Sequence, residues 1–138
     1  MRFLYLFLFF IATPLLGFAQ KPSEAHKIVL HYAEGAPETH PKLVRNLENI
    51  LAAAPDTELV VVTIGMGVDL MRNSIPQPLQ EKMQALEARG VRFEVCENTL
   101  KQRGLEKEDF LSISSYVTAG ILALVELQKA GFTYIKAG

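Results

Sequence analysis

LVVVTI, residues 59–64, is the stretch on which the fold turns. It is rich in β-branched residues and lacks the polar alternation of a strand with one wet face. Such a run suits a parallel strand covered by helices on both sides. Before it, Pro41 fits the first turn of a helix, where a missing N–H does no harm. Leu43, Leu47, Ile50, Leu51 and Ala54 then recur at helical spacing, with Lys42, Arg45, Glu48 and Asn49 on the other face, until Pro55-Asp56 ends the pattern. Residues 27–32 (KIVLHY) read as an earlier strand, followed by a loop with Gly35 and Pro37.

After residue 64, Gly65-Met66-Gly67 reads as a tight turn and residues 68–78 mostly as loop, since they hold Asn73, Ser74, Pro76 and Pro78. Leu79, Met83 and Leu86 define a helix to Arg89, stopped by Gly90. Residues 91–95 (VRFEV) form a strand that delivers Cys96 at its end. A short helical turn is expected at 98–102, a short fourth strand at 111–115, a helix at 118–130 and a final strand at 132–136. Strand and helix alternate throughout. The predicted class is a doubly wound, three-layer α/β/α fold on a mostly parallel sheet.

The chain has 138 residues, enough for one domain with a real core. Its 14 Lys+Arg against 15 Asp+Glu, with no basic run, argue against a nucleic-acid partner. A 49% hydrophobic content excludes global disorder. The single cysteine, Cys96, excludes an intrachain disulfide and a Cys-rich metal site. Residues 1–19 (MRFLYLFLFFIATPLLGFA) carry one charge, Arg2, then an apolar stretch that is short for a membrane span and holds Pro14. Gly17-Phe18-Ala19 places small residues where a signal peptidase cuts, before Gln20. The expected organisation is a signal peptide at 1–19, a polar leader at 20–26 and one domain at 27–138. The mature protein is then periplasmic or secreted and not membrane-bound; the alternative is that the segment stays uncleaved as a membrane anchor.

Ligand sites in open parallel sheets lie beyond the carboxyl ends of the strands. These positions carry His31 and Tyr32, then Gly65, Met66 and Gly67 on to Asp69, then Cys96 to Thr99 with Asn98 between, and Ser114 to Tyr116. Cys96 is the one strong nucleophile among them. It precedes a helix whose free N–H groups would favour a thiolate; Arg103 would add positive charge, and Glu97 would oppose it. The competing reading is a small buried hydrophobe that ends a strand. His31 could serve as a base for a thiol, but nothing in the sequence ties it to Cys96, and a structural or surface histidine at a strand end is the favoured reading. Gly65-x-Gly67 lacks the third glycine of a dinucleotide site, and no P-loop follows. His26, His31 and His40 lack metal-ligand spacing, so neither a metal nor another cofactor is expected. Glu34, Glu38 and Asp69 show no spacing that marks a catalytic carboxylate pair. The helix around Ile121, Leu122, Ala123, Leu124 and Val125 is apolar nearly all round. Its outer face is expected to pack on another subunit, unless it is a central helix of the domain.

Two segments resemble the DsrE/DsrF-like family. One is Gly90-Val91-x-Phe93-x-Val95-Cys96-x-Asn98-Thr99-Leu100-x-x-Arg103-Gly104-Leu105. The other is Tyr116-Val117-x-Ala119-Gly120-Ile121 with Leu127-Gln128-x-x-Gly131-Phe132-x-Tyr134-Ile135-Lys136. The resemblance implies a five-stranded parallel sheet between helices and assembly as trimers or hexamers. It also implies, at Cys96, a cysteine that accepts sulfane sulfur as a persulfide and hands it to a partner protein. Sulfur-relay members act in the cytoplasm, some in tRNA thiolation, and an exported chain cannot serve that end. Two readings follow. The first is a sulfur carrier with an accessible, low-pKa Cys96 thiol. The second is a non-catalytic oligomer that binds a small ligand in its clefts, with Cys96 buried and structural and an apolar pocket near Met66, Met71 and Tyr116.

Overall fold

The computed structural model describes residues 25–138. The expected signal peptide lies outside the described residues. Five strands form one sheet: β1 (Lys27–Tyr32), β2 (Glu58–Thr63), β3 (Arg92–Cys96), β4 (Ser114–Val117) and β5 (Thr133–Ala137). Their order is β4-β3-β2-β1-β5, and every pairing is parallel. The central strand is β2, whose Val60, Val61 and Val62 are at most 1% exposed, as its unbroken apolar run requires.

Four α-helices connect the strands: α1 (His40–Ala53), α2 (Gln77–Ala88), α3 (Glu97–Arg103) and α4 (Gly120–Lys129). The strand order dictates where they go. The steps from β1 to β4 all move one way across the sheet, and right-handed crossovers put α1, α2 and α3 on one face. The return from β4 to β5 moves the other way and puts α4 on the opposite face. The buried clusters bear this out. Leu43, Leu47, Leu79, Met83 and Leu100 pack with Leu30, Leu59, Val61, Phe93 and Val95 on the first face. Leu124 and Phe132 pack with Val29, Val60 and Val62 on the second. The layers are therefore three, as expected, but unequal: α4 alone covers its side.

Three stretches differ from the expectation. Residues Gly65–Met71 form a three-ten helix in place of a tight turn and loop, and Val68, Leu70 and Met71 are fully buried. This helix lies close on the end of β1. A Cβ at Gly67 would stand 2.2 Å from the Tyr32 carbonyl oxygen, so only glycine fits there. The fourth strand is Ser114–Val117, not 111–115. Leu111 is apolar because it fills the core; its N–H bonds the Met71 carbonyl at 2.8 Å. The last helix starts at Gly120, since the Thr118 carbonyl is engaged by the Asn98 N–H at 3.2 Å.

Candidate functional site

The chain leaves β3 toward one face, through α3, and leaves the neighbouring β4 toward the other, through α4. Such a divergence between adjacent strands opens a crevice at their carboxyl ends. Cys96 stands there, as the last residue of β3 and the residue that caps α3. Its sulfur accepts the N–H of Gly120, the first residue of α4, at 3.3 Å. The thiol thus meets the positive ends of two helices.

Gly120 is what permits this approach. A Cβ there would meet Ile64 Cγ1 at 2.6 Å and Cys96 Cβ at 3.2 Å, so any larger residue would lift α4 off the sulfur. Thr99 adds a second support. Its Oγ1 accepts the Gly65 N–H at 3.0 Å, and its hydroxyl is among the groups that lower the thiol pKa. Cys96 is only 4% exposed, and burial pushes its thiol pKa up. The Gly120 N–H, which donates to the sulfur, outweighs that together with the polar groups of Thr99 and Asn98 at the start of α3, and the thiol lies below its ordinary value.

The other sequence-predicted residues are only partly gathered here. Asn98 stands beside the sulfur at the start of α3, but its backbone N–H is given to the Thr118 carbonyl. Gly65 belongs to the site through its bond to Thr99. Arg103 does not supply charge to the thiol. Its Nη2 holds both carboxylate oxygens of Asp69 at 3.0 Å, and its Nη1 donates to the Gly65 carbonyl at 3.3 Å. Arg103 therefore fixes the three-ten helix on which Gly65 sits. Glu97 does not oppose the thiolate unchecked, because Lys107 pairs with it and holds its carboxyl below the usual range.

His31 and Tyr32 lie on β1, two strands from Cys96 and so about 10 Å away. His31 Nδ1 is 2.9 Å from the Tyr134 hydroxyl, and burial and Lys136 hold its pKa below the ordinary value. It is not a base for this thiol. Tyr32 is a core residue, 1% exposed, with its hydroxyl 2.7 Å from Thr39 Oγ1. Tyr116 lies within β4, not beyond it, and packs toward the first face, under the Lys107 ammonium. Met66 is exposed and Met71 is buried in the core. The apolar pocket expected around Met66, Met71 and Tyr116 therefore does not form. Thr99 lies among the positions expected beyond β3, without a role assigned to it, and Gly120 is not among the expected site residues. Their nearness to Cys96 comes from strand order, and only the presence of Gly120 at a helix start hinted at it.

Among the described residues, no group of three His, Cys, Asp or Glu side chains is placed to hold a metal ion. No described helix is long and apolar enough to cross a membrane.

Fold and site together define a class: a small α/β domain with a lone helix-capping cysteine at the carboxyl edge of a five-stranded parallel sheet. The chain belongs to the DsrE/DsrF-like family, whose model matches residues 27–137. That membership suggests a function related to sulfur relay. A protein of unknown function, MTH1491 from Methanobacterium thermoautotrophicum, is similar at 29% identity and a TM-score of 0.74, over 80% of this chain and 98% of that one. The ychN protein from E. coli shares the fold at 14% identity, with a TM-score of 0.68 over 80% and 98% of the two chains. A conserved protein of unknown function, BT1422 from Bacteroides thetaiotaomicron, does so at 16% and 0.61, over 80% and 93%. Among curated proteins none matches.

Proposed function

We propose that this protein carries sulfane sulfur on Cys96. The observation that supports the reading is the sulfur's surroundings: a buried thiol at the start of α3 that accepts the Gly120 N–H at the start of α4, with its pKa held below the ordinary value despite burial. A cysteine that merely fills space is expected to be shifted upward by burial and to be inert. The burial itself departs from the accessible thiol expected of a carrier. It favours small donors such as hydropersulfide or polysulfide.

In the loading step, the Cys96 thiolate attacks the outer sulfur of a donor persulfide, R–S–S⁻. A new S–S bond forms at Cys96, the donor's S–S bond breaks, and the donor leaves as a thiolate. No external oxidant is needed. The product, Cys96–S–S⁻, is again an anion, and the same N–H groups suit it. A partner thiolate then attacks the outer sulfur and releases Cys96 unchanged.

The reading has further parts. The carrier is exported, on the strength of the sequence of residues 1–19, so its donor and acceptor are small sulfur species or proteins outside the cytoplasm. It works as a homo-oligomer, a trimer or hexamer by family resemblance, assembled through the outer face of α4. The exposed Ile121 and Leu122 support that part.

Intact mass of the purified protein, with and without polysulfide, tests the proposal. The expected result is a gain of one sulfur atom per chain, absent after the thiol is blocked and absent in Cys96→Ser with the assembly intact. Failure to gain sulfur would make the thiol structural and ligand binding the leading account.

A further inference from the structure

A second site lies on the opposite face of the sheet from α4. A cavity of about 590 Å³ opens between the first turns of α1 and α2 and the three-ten helix. That is within the range of small-molecule sites. Val44, Ile75 and Leu79 form its apolar walls. Its polar lining includes His40, Asp69 and Arg72.

Two of these residues carry a buried polar atom with no hydrogen-bond partner among the described residues: His40 Nε2 and Arg72 Nε. His40 is only 4% exposed, and burial holds its pKa below the ordinary value, so the ring is neutral. Unpaired polar atoms this deep are costly, and two in one cavity indicate an absent partner. The Nε of arginine can only donate, so the partner must accept.

Each cation around the cavity has a carboxylate within 4.0 Å, but those of Arg72 are the farthest. Arg103 is committed to Asp69 at 3.0 Å, and Lys82 to Glu48 at 3.2 Å. Arg72 makes two long ion pairs but no side-chain hydrogen bond among the described residues. Its nearest carboxylates, Asp69 and Asp109, stand at 3.9 and 4.0 Å, beyond hydrogen-bonding distance. A planar guanidinium with free donors matches a carboxylate. The apolar walls match a hydrocarbon body.

We infer that this cavity binds a small amphiphilic carboxylate, with its head on Arg72 and His40 and its chain against Val44, Ile75 and Leu79. The inference is independent of the chemistry at Cys96.

Octanoate is the probe, with octan-1-ol and octylammonium as controls that share its chain. Titrations of the full protein, followed by methyl NMR, should move the Val44, Ile75 and Leu79 signals with octanoate. Octanol should bind at least about tenfold more weakly. Octylammonium should not bind. Arg72→Met should cost octanoate about tenfold and leave octanol unchanged. If that variant loses its fold, Arg72→Lys makes the same comparison, keeping the charge and losing the planar fork. Ser74→Trp, at an exposed lining position, should block octanoate and octanol alike. Equal binding of octanoate and octanol would overturn the inference. So would no response to octanoate up to roughly 10 mM, the weak end of specific binding.

Discussion

At the scale of the residue, the decisive property is the charge state of Cys96. Its pKa is lowered because polar groups at the start of two helices outweigh burial. Thr99→Val removes the hydroxyl while keeping the shape, so the thiol should titrate at higher pH. Thr99→Ser should restore the low midpoint. The pH dependence of thiol alkylation reads both, and equal midpoints in all three proteins would remove Thr99 from the site. The same shift has a consequence for stability. A thiol whose pKa is lower in the folded than in the unfolded chain adds stability above the unfolded value, and loses it as pH falls through the folded value. The stability difference between the wild type and Cys96→Ser should therefore grow as pH rises through the thiol range, which urea unfolding at several pH values would show. Cys96 was legible in the sequence as the one nucleophile at a strand end. Its donors were not, because Gly120 is 24 positions away and meets the sulfur only through the pairing of β3 with β4.

At the scale of the element, the strands and long helices were readable because each carries its own pattern. The run of β2 and the helical spacing of α1 need no distant partner to be recognised. Residues 65–78 and 111–117 were harder. Pro and Asn there signal loop, yet Val68, Leu70 and Met71 are buried by contacts the local pattern does not encode. Leu111 had the composition of a strand and the job of a core plug. Arg103 illustrates the same limit, since its helix position suggested the thiol and its partner is Asp69. Arg103→Met should consequently leave the Cys96 titration midpoint in place while lowering the melting temperature through loss of the bond to the three-ten helix. A large upward move of the midpoint would instead put the guanidinium charge back at the sulfur. Gly120→Ala makes the complementary case. The added methyl collides with Ile64, whose Cγ1 is not a flexible end, so α4 must shift. We expect a loss of about 1–3 kcal/mol in urea unfolding together with a raised thiol midpoint, as the Gly120 N–H withdraws.

At the scale of the whole molecule, the fold is lopsided for a topological reason, and this bears on assembly. Three crossovers run one way and one runs back, so a single helix of ten residues must cover one entire face of the sheet. That helix buries Leu124 and leaves Ile121 and Leu122 at 59% and 63% exposure, while on the edge strand β5 Tyr134 and Ile135 are also exposed. Single exposed apolar side chains are ordinary, but several on neighbouring elements suit a protein contact. Replacing both helix residues, Ile121→Glu with Leu122→Glu, touches nothing in the core and should cost an isolated subunit no more than about 0.5 kcal/mol per site. In an assembly built on this face, the same change would bury unpaired carboxylates, which is far more costly. Sedimentation velocity should therefore give a trimer or hexamer for the wild type and a folded monomer for the double variant. A wild type that sediments as a monomer would refute the assembly reading. A double variant that stays assembled would move the contact to another surface and leave the apolar outer face of α4 without an explanation.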